Sequence, residues 1–291
     1  MSYDEHLQQE AKIWSQNAEV YFQSVPPDFR VLCHLFDYWL FLPWYKRLFD
    51  ALKPSDEVLE LGCGAGWLSL EMARCGVRVD AIDIAEGAIS IAQAYYEKIR
   101  VQETITGQIR YRVADVNHVD LVPDHYDWVV IAGMLHHAPD PHQLLVNCKH
   151  WLKPGGRVFI FDPLDTTKMN SLAVGAMLML SPTNLSYGEK IRHLLRVRGK
   201  SVQRMGTVIE GQGESPFEGV GRTKSPRDTI ASALKLDYYT EGYGITSFLA
   251  RELRASYWLG RAILLAVRPM EWTLRQLRII RGLRYIAFAS R

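Results

Sequence analysis

Cysteine is scarce here. The four in this 291-residue chain (Cys33, Cys63, Cys75 and Cys148) form no CxxC pair or other metal-type spacing. They read as free thiols of a reducing compartment, with no metal centre expected. Long apolar runs are missing too. Leu172 to Leu180 comes nearest, well short of the roughly 20 residues that a spanning helix needs. Nor does one sign of charge dominate: 34 basic against 32 acidic residues leave +2, which argues against a dedicated nucleic-acid binder. Residues 1–6 carry no basic region leading into an apolar one, so no secretory signal is expected and cytoplasmic is the default. No internal repeat is evident. With 48% hydrophobic residues the chain can bury a large core, as one decorated domain or two small ones.

What is present centres on residues 57–67. Val58, Leu59 and Leu61 form a short apolar run, as in a buried strand, and Gly62, Gly64 and Gly66 follow at every second position. Glycines after a strand let the backbone turn tightly and approach a ligand closely, and the amides opening the next helix face the same space. The dinucleotide fingerprint wants its third glycine three residues after the second. Trp67 stands at that position, and Gly66 comes one residue early. Glu60 ends the strand, where it would repel a pyrophosphate and favour a cation.

Strands are expected near 57–62, 78–83, 109–114, 127–132 and 156–162, with helices near 66–75, 86–101 and 140–151 between them. This alternation predicts a parallel sheet with helices on both faces. Residues 4–24 predict an amphipathic helix. An aromatic helical segment over 31–52, interrupted at Pro43, either caps the core or forms a lid over a pocket. After Asp162 come an apolar patch and a basic stretch (Lys190, Arg192, His193, Arg196, Arg198, Lys200 and Arg204), then a glycine-rich loop over 207–225. A helix near 226–235, a strand near 236–243, helical segments over 246–281 with Pro269 starting the last, and a final strand at 284–290 complete the reading.

Asp83 ends the second strand, 17 residues after Gly66, with Asp80 as its competitor and a helix N-cap as its alternative role. Asp115 ends the third strand. The fourth leads into Ala132-Gly133-Met134-Leu135-His136-His137, and Lys153-Pro154-Gly155-Gly156 precedes the fifth. In order and spacing, residues 55–162 resemble the class I methyltransferases that depend on S-adenosylmethionine (SAM), of the ubiquinone- and menaquinone-biosynthesis type (methyltransferase type 11-like).

That resemblance implies an α/β fold with a doubly wound seven-stranded sheet, N-terminal helices and a helical insertion after the fifth strand. Residues 1–54 would be a helical lid, 55–162 the SAM-binding core, 163–235 the insertion forming an acceptor pocket, and 236–291 the last strands with a basic amphipathic segment. It implies SAM as cofactor and S-adenosyl-L-homocysteine as its product. Glu60, Gly62, Cys63, Gly64 and Gly66 would line the methionine end, with Tyr21 as an N-terminal contributor. Asp83 would take the ribose hydroxyls. Ile84 and Val116 would flank the adenine, Asp115 would accept from its amine, and Ala132 and Gly133 would pass close to the sulfonium.

A hydroxyl nucleophile must lose a proton, and histidine suits that near neutral pH. His136 and His137 are the candidate bases; local packing is the alternative. His118, His125, His142 and His150 read as surface residues. The place after the fourth strand reads Ala132-Gly133-Met134-Leu135, without the Asn/Asp-Pro-Pro-aromatic tetrapeptide of amine-methylating nucleic-acid enzymes, and no Pro-Cys pair occurs. The expected partner is therefore a small, largely apolar acceptor, methylated on oxygen or, as runner-up, on carbon. A scaffold that lost transfer, and an enzyme using SAM for other chemistry, stay open. From Ser247 onward nine arginines face only Glu252 and Glu271. Met270, Leu274, Leu277 and Ile280 would share one helical face, as in a helix lying on anionic membrane or packed on the sheet.

Overall fold

The computed structural model describes residues 2–31, 35–164, 168–183, 186–196 and 225–291. Seven strands make one sheet: β1 (Glu57–Leu61), β2 (Arg78–Asp83), β3 (Gln108–Val113), β4 (Tyr126–Ala132), β5 (Leu152–Pro163), β6 (Lys235–Gly242) and β7 (Arg284–Ser290). Their order is β3-β2-β1-β4-β5-β7-β6. The first five strands run parallel, and β7 lies antiparallel between β5 and β6. Inner strands of a parallel sheet are covered on both faces and so read as apolar runs. Val58, Leu59, Leu61, Val129, Val130 and Ile131 accordingly have no exposure.

The chain winds outward from β1 in one direction and from β4 in the other. The switch between these neighbours opens a crevice at the strands' carboxyl ends, the usual ligand position in such sheets. Helices α1 (Tyr3–Phe22), α2 (Leu35–Phe49), α3 (Trp67–Arg74), α4 (Glu86–Gln102) and α5 (Pro141–Trp151) belong to this half. Next come α6 (Lys168–Leu180), α7 (Tyr187–Arg196), α8 (Pro226–Ala233), α9 (Ile245–Glu252) and α10 (Tyr257–Gln276). One layer joins Leu48, Leu68, Ile89, Leu249 and Leu264 over the sheet, from α2, α3, α4, α9 and α10. The other joins Leu144, Leu145, Cys148 and Ile230, from α5 and α8.

Several expectations change. α2 runs through Pro43 without interruption and buries Phe41 and Tyr45 in the core, so this segment caps the sheet. Pro269 starts no helix and lies inside α10. It stands on the exposed side, as does Leu265, whose carbonyl loses its helical partner to the proline. α10 ends at Gln276, and Arg278 turns the chain with φ of 56°. Leu277 and Ile280 therefore leave the helix, and the supposed face with Met270 and Leu274 is not formed. The inward face is Gly260, Leu264, Val267 and Glu271. α8 packs on α5 and β6, within the core and outside the insertion. Cys33, Arg198, Lys200, Arg204 and most of the 207–225 loop lie outside the described residues.

Candidate active site

The loop after β1 turns through three left-handed glycines: Gly62 at φ 72°, Gly64 at 52° and Gly66 at 78°. Their surroundings differ. A Cβ on Gly62 would collide with the Met134 side chain, and one on Gly66 would meet Ala92 at 2.9 Å and the Tyr111 ring. Gly64 has nothing within 4 Å of that position, and neither does Gly133 (φ 73°), after β4. Two glycines thus allow close packing of loop on protein, and the other two edge open space at the switch between β1 and β4.

Asp83 joins this loop to the end of β2. Its Oδ2 accepts the Gly64 N–H (2.7 Å) and its Oδ1 the Ala85 N–H (2.8 Å). Burial raises the carboxyl above the usual range against these bonds, and the nearby Glu10 charge adds to the rise. The competitor Asp80 is engaged elsewhere, by Arg110 at 2.8 Å and Tyr126 at 2.7 Å.

Glu60 does not line the crevice. Its carboxyl is buried beneath the loop and accepts from the Ser69 hydroxyl. Burial pushes its pKa to about 8, helped by the Asp83 charge and opposed by Ser69. Cys63 also points inward, with its thiol held protonated by burial. Only the backbone of Cys63 remains to face a ligand.

α1 crosses the carboxyl end of the sheet. Ser2 and Glu5 close a capping box at its start. Its Tyr3 hydroxyl donates to Asp115 Oδ2 (2.7 Å), and its Ser15 hydroxyl accepts the Gly87 N–H (3.1 Å) at the start of α4. Glu10, only 5% exposed, accepts from Trp14 Nε1 at 2.7 Å and lies 3.3 Å from His137 Nδ1. Tyr21, by contrast, is exposed at the far end with its ring against Phe22. Sequence reasoning missed Tyr3, Glu10 and Trp14. Their spacings of seven and four put them on one helical face, a signal that was available.

Asp115 sits at the rim as expected, but its oxygens are taken within the chain. Oδ1 accepts the Asn117 N–H and side-chain amide; Oδ2 accepts from Tyr3 and meets His118 Nδ1 at 2.6 Å. Burial opposes the charge, yet these bonds outweigh it and hold the carboxyl below the usual range. An adenine amine would therefore compete with four existing contacts. His118 is exposed, as read, and yet serves Asp115. Ile84 and Val116 are half-buried beside the two aspartates.

Across the crevice, β4 ends at Ala132, and Leu135–His137 form a single 3-10 turn. The two histidine rings lie 3.8 Å apart. His136 Nδ1 stands 2.9 Å from Oδ1 of Asp162, a residue 2% exposed near the end of β5. In a neutral ring bonded through Nδ1–H, the Nε2 nitrogen carries the lone pair. Asp162 was also missed, although an acid closing an apolar strand is the signal that picked out Asp83. Beside this dyad, Phe41, Trp44, Phe161 and Tyr243 form an aromatic cluster, with Arg284 5.3 Å above the Phe41 ring. The Gly133 N–H donates to the Phe161 carbonyl at 2.7 Å, which ties the cluster to the open glycine. Among the described residues no group of three metal-type side chains occurs.

Residues 58–156 match a family described as "Methyltransferase domain". A ubiquinone biosynthesis O-methyltransferase of Xanthomonas campestris pv. campestris (strain B100) is 37% identical over 122 residues, 42% of this chain and 48% of that protein. The same-named protein of Xanthomonas axonopodis pv. citri is 38% identical over 127 residues, 42% of this chain and 50% of its own length. The chain spans about half the length of the curated relatives it matches. A solved structure of a putative sarcosine dimethylglycine methyltransferase from Galdieria sulphuraria aligns with TM-score 0.48 and 15% identity, over 86% of this chain and 83% of its own. The sheet order and the glycine loop after β1 thus accompany a segment, residues 58–156, that is similar to a methyltransferase domain.

Proposed function

We propose that this protein is a SAM-dependent methyltransferase that methylates a small, largely apolar acceptor on oxygen. The observation that carries the cofactor half is the coupling of Gly64 to Asp83. One carboxylate fixes the loop, while open space lies above Gly64 and Gly133. Asp83 would hold the ribose hydroxyls and the 62–66 backbone the methionine end. Ile84 and Val116 would flank the adenine. Asp115 would act through Tyr3 and Asn117, and Ala132 and Gly133 would border the reacting end. When bound, SAM supplies an electrophilic methyl group on a sulfonium.

The chain's own contribution is to position, dry and deprotonate. α1 would cover the crevice along Tyr3 and Glu10, with Trp14 at its exposed edge, and the Phe41 cluster would give an acceptor an apolar wall. His136 would take the acceptor's proton at Nε2, with Asp162 orienting the ring and stabilising the imidazolium. His137, held by Glu10, would position rather than deprotonate. The O-methyltransferase names of the curated relatives support the same chemistry. Carbon methylation of a quinone, polyketide or lipid-like acceptor is the second reading, favoured by the aromatic wall.

Calorimetry with SAM and its demethylated product tests the cofactor half. Asp83→Ala should weaken both by about 1–3 kcal/mol, roughly 5- to 150-fold. Absence of binding to the parent chain would overturn the reading. A mass-shift screen of small-molecule extracts would identify the acceptor.

A further inference from the structure

α10 turns toward solvent a face without charge. Its inward side, Gly260, Leu264, Val267 and Glu271, is buried beside α9 and α2. The opposite arc, about 160° wide at 3.6 residues per turn, carries Trp258, Leu259, Leu265, Met270 and Trp272. Trp258 is 72% exposed and Trp272 62%. Alanines, Pro269, Thr273 and, at the helix end, Gln276 fill the rest of it, and the Thr273 hydroxyl is turned back onto the Pro269 carbonyl at 2.9 Å. An outward helix face normally carries charged and polar residues. Here that rule is inverted over some 20 Å of axis.

Cations edge this arc. Arg261, Arg268 and Arg275 recur every seven residues along one flank, half-buried, with Arg268 over the Tyr243 ring and Arg275 donating to the Glu241 carbonyl, and exposed Arg278 and Arg281 follow the helix. The one acid of the segment 254–291, Glu271, faces inward. There it accepts the Gly244 N–H (2.6 Å), the Thr246 N–H (2.8 Å) and the Thr246 hydroxyl (2.7 Å). The exposed side thus combines apolar depth, two rim tryptophans and positive charge. Among the described residues no helix is long and apolar enough to cross a membrane. A second copy seated antiparallel on this face, by a two-fold across the helices, would bring the arginine rows onto the same flank. The surface whose chemistry complements all three features is a bilayer with anionic headgroups.

We propose that α10 is an interfacial docking helix that seats the protein on an anionic lipid bilayer, its axis along the membrane plane. The proposal stands apart from the methyl-transfer reading, because neither cofactor nor acceptor enters its test. The full chain is floated with vesicles of phosphatidylcholine alone and of phosphatidylcholine with phosphatidylglycerol. Flotation is expected with the anionic vesicles and should fall as salt rises. A Trp258→Ser, Leu265→Ser, Trp272→Ser variant should lower partitioning by more than about tenfold, from the apolar area withdrawn. Arg278→Glu with Arg281→Glu, both exposed, should lower it on the anionic vesicles at unchanged thermal stability, which keeps the test open if the triple variant misfolds. No flotation of the parent chain, equal flotation on both vesicles, or unchanged flotation of the arginine variant would overturn the proposal. So would a dimer in light scattering that the triple variant dissolves.

Discussion

Replacing Glu60 by Gln should make the protein more stable in base and leave it nearly unchanged in acid. The carboxyl sits under the glycine loop, excluded from water, with the Ser69 hydroxyl as its bonded neighbour. Burial lifts its pKa from 4.5 to about 8. In an unfolded chain the group ionises near pH 4.5, whereas in the folded chain it stays protonated until near pH 8. Below pH 4.5 both states hold the proton and the group costs nothing. Between pH 4.5 and 8 the unfolded state is progressively favoured, by 1.36 kcal/mol per pH unit. The accumulated penalty approaches about 5 kcal/mol above pH 8 and is flat beyond. Gln keeps the shape and carries no proton to lose, so the variant escapes that slope. Denaturant unfolding of both proteins from pH 5 to 9 reads the difference directly. A stability gap that does not change with pH would refute the argument. A second readout follows from the proposed cofactor: a bound cation would draw Glu60 back to its ionised form. Calorimetry near pH 7 in buffers of different ionisation enthalpy should then show proton release that Glu60→Gln abolishes.

The remaining predictions concern the dyad and the core. Once an acceptor is in hand, Asp162→Asn and His136→Ala should each lower kcat by about 10²–10⁴ with little change in KM, and the double variant should lose no more than either alone. An unchanged pH–rate profile in both would remove His136 as base. Arg74 bonds both oxygens of Asp28 (2.7 and 2.9 Å), plus Glu71 and Glu103, with only 8% of its side chain exposed. Arg74→Met strands Asp28 and should cost about 3–5 kcal/mol at neutral pH. Despite burial, Arg74 holds the Asp28 carboxyl below its usual 3.8, so the loss should shrink as pH falls through that lowered value. A cost under about 1 kcal/mol at neutral pH would show the network to be dispensable.

Most of the sheet could be read in advance, because inner parallel strands announce themselves as apolar runs. β1, β2 and β4 fall within a residue of their expected bounds. The glycine loop and Asp83 were readable for a related reason: their spacing is local, and the structure joins them through one hydrogen bond. What escaped depends on partners far away in the chain. Nothing local to Tyr3 announces Asp115, and nothing near His136 announces Asp162. Glu60 was placed correctly on its strand, but its burial beneath the loop was not legible, because alternation gives a side chain's face and not its enclosure. Pro269 misled because the penalty for proline in a helix depends on whether the freed carbonyl meets solvent. That is a property of the finished surface.

The position of β7 has a consequence for how the chain is assembled. It follows the other six strands in sequence, yet it lies in the sheet between β5 and β6. Until residues 284–290 are available, the five parallel strands can form with a bare β5 edge, and β6 has no neighbour. Closing the gap brings together segments more than a hundred residues apart, a slow step on loop-entropy grounds. During that interval Val158, Phe159 and Ile160 offer unpaired backbone beside apolar side chains, an edge open to wrong partners. Damage to β7 should therefore show first as insolubility.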